Sequence, residues 1–197
     1  MTTKIYIEGG GNTERTLKAC RAAFSKYCEM VVPAGHNPRV VACGSRQEAY
    51  EDFKKGLNDA KYDRVALLVD SEIAIAKGDT GWKHLKKSDN WDKPTGAQDD
   101  AAHLMVQSME SWFMAHKEHL NDYYGQNFNS NALPQNPAVE EISKQDVCSG
   151  LKNATRLTSK GSYDKAKHGF EILSGIDPNK VEKASPFARL LHEYLKL

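Results

Sequence analysis

Residues 5–14 read IYIEGGGNTE, and this stretch decides the fold. The apolar run Lys4 to Ile7 predicts a short buried strand, and the three glycines that follow it allow a tight turn. Asn12 or Thr13 can then cap a helix that reaches Tyr27, with apolar residues at helical spacing. The stretch therefore predicts a strand, a glycine loop and a helix in direct succession.

The same unit is repeated along the chain. Val40 to Gly44 predicts a second strand, and Ser45 with Glu48 three residues later has the pattern of a capping box at a helix start. Arg64 to Val69 is almost continuously apolar, as expected for a strand covered on both faces. His103 to Gln107 can form a fourth strand. This βαβαβ order with short connections predicts an α/β fold with a parallel sheet flanked by helices.

The second half of the chain is predicted to be mainly helical. Residues 73–100 have no periodic pattern, and a loop of that length is usually functional or mobile. Met109 to Tyr124 is predicted to be helical, with its aromatic residues in the core. After a proline-rich break, three further helical stretches are predicted at about 138–147, 163–173 and 186–197. We expect an α/β core at 1–125 and a helical C-terminal extension at 126–197, packed together as one unit.

Composition excludes some classes of protein. Lys and Arg total 27 against 26 Asp and Glu, so bulk charge cannot drive strong nonspecific binding to nucleic acid or to an anionic membrane. The four cysteines form no CxxC pair and are expected to be reduced. The start of the chain lacks a signal-peptide pattern, and no apolar run reaches the ~20 residues that span a bilayer. These features predict a soluble, cytoplasmic protein that does not enter membranes.

Acidic residues follow the predicted strands. Glu8 follows the first strand, Asp70 and Glu72 follow the third, and Glu110 lies shortly after the fourth. Because the carboxyl ends of parallel strands meet at one edge of a sheet, we expect these acids to converge there. Carboxylate oxygens without nearby Cys or His clusters favour Mg²⁺ or Mn²⁺ over Zn²⁺. Alternatively, Asp70 caps the segment after it and Glu72 is solvated.

The sequence is compatible with two roles for Glu110. It can complete the shell of a metal held by Glu8, Asp70 and Glu72, or it can form a structural ion pair with Lys165 or Arg156.

Two groups of residues are candidates for binding phosphate. Gly9, Gly10 and Gly11 have neither the G-x-G-x-x-G spacing nor the Lys-Ser/Thr of known cofactor loops, so they either form a turn or let a phosphate approach the helix N-terminus. Lys160 and Lys165 belong to a basic stretch that is either a phosphate-contacting surface or a solvated helix face.

Several other polar residues are weaker candidates for the site. Gln107 is either an orienting hydrogen-bond partner or a polar strand end. Asp99 and Asp100 are better explained as a solvated acidic turn than as part of the site. His116 and His119 share a helix face without an evident third ligand, so we expect them to be surface residues.

Residues 7–14 resemble the V-E-G-x-T-E signature of Toprim-like proteins, and residues 69–72 resemble their D-x-D motif. The chain is closer still to one bacterial branch, domain-of-unknown-function family 4276 (DUF4276). The matching segments are HLMVQSMESWF at 103–113, YDK at 163–165, FEIL at 170–173 and SPF at 185–187. The resemblance covers nearly the whole chain and implies a Toprim-like parallel sheet.

The resemblance also implies a function. In Toprim relatives the first-strand glutamate is an acid/base or a metal ligand, and the D-x-D acids hold Mg²⁺ for phosphodiester chemistry. Glu8 would take the first role, and Asp70 and Glu72 the second. One departure is that Glu72 stands where the motif has Asp, which still provides oxygen but changes the reach of the ligand.

The function expected from this resemblance is a Mg²⁺- or Mn²⁺-dependent nuclease acting on nucleic acid. Because the chain has no Walker motif of its own, a separate ATPase partner is conjectured. The alternatives are a noncatalytic interaction or regulatory subunit with an acidic ion-binding pocket, and an enzyme of phosphoryl transfer on small nucleotides.

Overall fold

Four parallel strands form the centre of the structure, a computed structural model that describes residues 1–197. Their order across the sheet is β2-β1-β3-β4, and every neighbouring pair is parallel. The predicted α/β class with a parallel sheet is confirmed. The strands are β1 (Thr3–Ile7), β2 (Arg39–Ala42), β3 (Arg64–Asp70) and β4 (Ala102–Met105).

Eight α-helices surround the sheet, and half of them lie in the C-terminal part of the chain. They are α1 (Glu14–Val31), α2 (Arg46–Gly56), α3 (Gly81–Asp89), α4 (Lys117–Tyr124), α5 (Lys144–Thr155), α6 (Phe170–Leu173), α7 (Pro178–Ala184) and α8 (Pro186–Lys196). The predicted starts of α1 and α2 are confirmed. Thr13 caps α1, and Ser45 and Glu48 form the expected capping box of α2.

Each face of the sheet is buried under its own hydrophobic core. In β3, Ala66 and Leu68 point into the larger core, while Leu67 and Val69 point into the smaller one. The larger core joins β1 and β3 to α1 and to the C-terminal helices, and the smaller core lies beneath α2 and α3. Because β3 is covered on both faces, its sequence has no polar alternation. The expected core positions of Trp112 and Phe113 are both fully buried.

The prediction of a structureless loop at 73–100 was wrong in its middle. Thr80 caps α3, and the helix buries Trp82 and Leu85 against the smaller core. Gly81 is needed at the start of α3, since a Cβ there would lie 2.1 Å from the carbonyl oxygen of Ala102. Only nine residues long, α3 is too short for its apolar spacing to stand out among the surrounding Lys, Asp and Gly.

Three predicted helices have different bounds in the structure. The segment expected at Met109–Tyr124 is a 3₁₀ helix over Met109–Ala115, followed after His116 by α4. The helix expected at 138–147 is instead α5, capped by Ser143. The helix expected at 163–173 is a π-helical turn that leads into α6.

The remaining findings concern the membrane and the cysteines. None of the helices combines the length and the apolar composition that crossing a membrane requires. All four cysteines are unpaired.

Candidate functional site

Three of the predicted acidic residues meet at the carboxyl edge of the sheet. Glu8 follows the last residue of β1, and Asp70 is the last residue of the neighbouring β3. Glu72 lies two residues further on, with a left-handed backbone angle φ of 67° that turns the chain at this point. One carboxylate oxygen from each residue lies within 4.8 Å of the other two. We call Glu8, Asp70 and Glu72 the acidic triad.

Asp70 is the buried member of the acidic triad. Its Oδ1 accepts a hydrogen bond of 2.8 Å from the backbone N–H of Met109, and its Oδ2 lies 3.5 Å from the ammonium groups of both Lys144 and Lys165. Burial raises the pKa of Asp70 despite the two lysines, and the nearby charge of Glu110 adds to this effect. The protein therefore holds this carboxylate in place while leaving it in need of positive charge.

Glu8 is held by the backbone of β3 and by Arg46. Its Oε2 accepts from the N–H of Asp70 at 3.1 Å and from the Arg46 guanidinium at 3.2 Å. Burial raises the pKa of Glu8, and the charge of Asp70 raises it further. These two effects outweigh the Arg46 charge and the hydrogen bond from the Asp70 N–H, which both lower the pKa of Glu8.

Arg46 was missed by the sequence analysis. It is the first residue of α2, and its guanidinium binds both oxygens of Asp89 at 2.6 and 2.7 Å and also donates to the backbone carbonyl of Asp70. The guanidinium carbon of Arg46 lies 5.3 Å from the ring centroid of Trp91. The available signal was positional: the helix after β2 starts at the same edge as the end of β1.

Glu72 is the exposed member of the acidic triad. Lys144, the first residue of α5, donates to both of its carboxylate oxygens at 2.8 Å. Burial disfavours the charged ammonium of Lys144, but the acids around it outweigh burial and raise its pKa. Nothing in the sequence singled out Lys144, because it lies 72 residues from Glu72.

Glu110 forms an ion pair beside the triad. Its Oε2 is 3.4 Å from the ammonium of Lys165, and its Oε1 accepts a 2.9 Å hydrogen bond from the hydroxyl of Tyr163. Lys165 thus bridges Glu110 and Asp70. Burial acts against the charge of Lys165, but Asp70 and Glu110 overcome it and raise its pKa. Of the two pairings considered for Glu110, the one with Lys165 is present.

The glycine loop forms one wall of a cleft next to these acids. Gly9, Gly10 and Gly11 all have positive φ, at 133°, 90° and 55°. At Gly10 a Cβ would come within 2.9 Å of the Cα of Leu17, so α1 packs closely on the loop. The cleft has a volume of about 360 Å³ and is lined by the three glycines, the start of α1 and Lys165.

The other phosphate candidate, Lys160, does not line this cleft. Its ammonium lies instead 4.7 Å from the ring centroid of Tyr123.

Gln107 supports the site indirectly. Its Oε1 accepts from the backbone N–H of Lys144 at 3.3 Å, and its Nε2 donates to the carbonyl of Glu140 at 3.4 Å. Its own carbonyl accepts from the N–H of Glu72 at 2.9 Å. Gln107 therefore connects the turn that carries Glu72 to the start of α5.

The remaining candidates lie away from the triad. Asp99 is paired with Lys93 in solvent, and Asp100 binds Arg64 at the opposite end of β3 from Asp70. His116 and His119, which were expected at the surface, are partly rather than fully exposed. Both are half-buried, and they bond the backbone of the C-terminal segment, at Asp177 N–H and at the carbonyl of Ile172.

Fold and site together define a class: an α/β protein with a parallel sheet and an acidic cluster at the carboxyl ends of its strands. A family model described as domain of unknown function (DUF4276) matches residues 7–196, and the chain belongs to this family. The match includes every residue of the acidic triad and both lysines beside it. Comparisons with curated proteins and with solved structures found no match.

Proposed function

We propose that this protein is a Mg²⁺- or Mn²⁺-dependent phosphodiester hydrolase, a nuclease of Toprim type. The observation that carries the proposal is the convergence of Glu8, Asp70 and Glu72 within 4.8 Å at the carboxyl edge of the sheet. Two of these acids are held in place by backbone hydrogen bonds, which a solvated acidic patch would not require. Such edges are where open α/β sheets bind their ligands.

The donor set of the triad fits a hard divalent cation. All three residues offer carboxylate oxygens, and the group contains no sulfur or imidazole. Glu8, Asp70 and Glu72 would hold the ion, which would polarise the phosphoryl group and favour a nucleophilic hydroxide. Glu110 is bound to Tyr163 and Lys165, so in this proposal it fixes Lys165 beside Asp70.

The protein's own residues would supply positioning and proton transfer. Glu8 has two carboxylate oxygens, so one would hold the ion while the other accepts a proton from the attacking water. Arg46, held by Asp89, would fix the orientation of Glu8. Lys165 lies between the triad and the glycine cleft, where its positive charge would attract a backbone phosphate.

The working site is proposed to be cytoplasmic, since four unpaired cysteines suit a reducing compartment. A separate ATPase is proposed as a partner. An ATPase would load substrate onto a chain that carries no bulk positive charge of its own.

The test is a cleavage assay with purified protein. Wild type with Mn²⁺ should cleave supercoiled DNA, single-stranded DNA or RNA, and Glu8→Gln and Asp70→Asn should both abolish cleavage while remaining folded by circular dichroism. Glu29→Gln is the matched control, because Glu29 is exposed on α1 and should retain full activity. Activity that survives in both triad variants would come from a contaminant and would contradict the proposal.

A second candidate is a noncatalytic subunit with an ion-binding pocket. The observation that favours it is that Lys144 and Lys165 already neutralise part of the acidic cluster. An ATPase complex isolated from the native host distinguishes the two. If that complex does not cleave nucleic acid, and triad variants change neither its assembly nor its ATPase rate, the nuclease proposal fails.

A further inference from the structure

The ammonium of Lys144 lies at the acidic triad, at the place where the proposed divalent cation would bind. Its ammonium donates to both oxygens of Glu72 at 2.8 Å and lies 3.5 Å from Oδ2 of Asp70. One ammonium group therefore contacts two of the three members of the acidic triad. In an ion-bound site the same oxygens would be ligands, at distances that leave no room for a second cation between them.

The two lysines of the site are held differently. Lys165 shares Asp70 with Lys144, but its second partner is Glu110, which lies outside the triad. Lys165 keeps that partner whatever binds the triad. Both acids that Lys144 contacts belong to the triad, so any ion bound there removes its partners together.

Lys144 can move without disturbing the fold. Its side chain is about one third exposed, and Glu72 is exposed as well, so separating them buries no unpaired charge. Its backbone is held separately, because its N–H donates to Gln107 and α5 is capped by Ser143. The ammonium can leave Glu72 while the start of α5 stays in place.

We propose that Lys144 is the internal counter-ion of the metal-free site, and that a divalent cation displaces it toward the substrate. This inference rests on the proposed function. The displaced ammonium, still tethered at the rim of the site, contacts an anionic phosphate of the substrate. Lys144 thus couples two events: it lowers the affinity of the empty site for metal, and it becomes a phosphate contact only after metal has bound.

The test is a titration of the whole protein with Mn²⁺, in which electron paramagnetic resonance measures the concentration of the free ion. Lys144→Met should lower the Kd for Mn²⁺ about tenfold, equivalent to about 1.4 kcal/mol, because the competing charge is gone. Lys144→Arg keeps the positive charge, so its Kd for Mn²⁺ should stay near that of the wild type. Lys152→Met is the matched control on the same helix and should not change it. At saturating Mn²⁺, Lys144→Met should bind a DNA or RNA oligonucleotide more weakly than wild type.

The outcomes separate this inference from the proposed function. An unchanged or higher Mn²⁺ Kd in a folded Lys144→Met protein overturns the inference, and Lys144→Gln repeats the measurement if the Met variant does not fold. Tighter Mn²⁺ binding together with unchanged oligonucleotide affinity overturns the second half of it. If Lys144→Met binds Mn²⁺ more tightly but neither the isolated protein nor its native ATPase complex cleaves nucleic acid, the counter-ion role stands and the nuclease function fails. If no form binds Mn²⁺, both fail.

Discussion

The substitution Asp70→Asn tests whether the acidic triad holds a divalent cation. Oxygens of Glu8 and Asp70 lie within 4.8 Å, so two ionised carboxylates there repel by about 3.5 kcal/mol at an effective dielectric constant of about 20. A cation between them converts this repulsion into attraction. Asn keeps the size of the side chain and can still accept from the N–H of Met109, so the variant should remain folded.

The expected effect can be stated as a shift in melting temperature. Mn²⁺ at a hundredfold excess over its Kd adds about 2.7 kcal/mol to the free energy of unfolding, or about 5–11 °C in Tm for a chain of this size. Mutation of a residue that only hydrogen-bonds to a metal ligand already weakens metal binding about 10–100-fold. Mutation of a ligand itself, such as Asp70, should weaken it at least as much. At a hundredfold loss, the same Mn²⁺ concentration would stabilise Asp70→Asn by only about 0.4 kcal/mol, or about 1–2 °C.

The assay is differential scanning fluorimetry with and without Mn²⁺, repeated after chelation. Asp122→Asn is the matched control, because Asp122 is exposed on α4 and should keep the full wild-type shift. An equal Mn²⁺ shift in wild type and Asp70→Asn would mean that the ion binds elsewhere, and the reasoning about the triad would be refuted.

Three further predictions concern stability and the support of the site. Gly10→Ala should lower stability by about 1–3 kcal/mol in urea unfolding, because φ is 90° and the new Cβ would lie 2.9 Å from Leu17; an unchanged midpoint would contradict the close packing. Burial lowers the pKa of His103 from 6.5 to about 3, so its contribution to stability is present above pH 6.5 and lost as the pH falls. Between pH 6 and pH 5 this group should cost wild type about 1.2 kcal/mol in denaturant unfolding, and a fall of the same size in His103→Phe would refute the assignment. Arg46→Lys cannot bind Asp89 with two parallel hydrogen bonds, so cleavage should fall with little change in Mn²⁺ affinity, whereas full activity would remove Arg46 from the site.

Local sequence was enough to predict most of the sheet. The strands and the caps of α1 and α2 were predictable because their signals are short-range: an apolar run, a glycine turn and a capping box. The same rules were less accurate after residue 72, although the helix predicted at 186–197 is present as α8. There, α3 is only nine residues long, and burial against the core decides where α3 and α5 lie.

The acidic triad was predictable for a reason of topology. Parallel strands place their carboxyl ends at one edge, so an acid after β1 and an acid at the end of β3 must be neighbours if the strands pair. Sequence by itself therefore determined that Glu8 and Asp70 face a common site, together with the family to which the chain belongs.

Only the tertiary structure decided which cations meet those acids. Lys165 lies 95 residues from Asp70, Lys144 lies 72 residues from Glu72, and Arg46 reaches Glu8 from the start of α2. The sequence around these lysines does not distinguish them from the many other lysines in the chain. An ion pair depends on the distance between two charges in space, and that distance is set by how the C-terminal helices pack on the sheet rather than by any pattern near either residue.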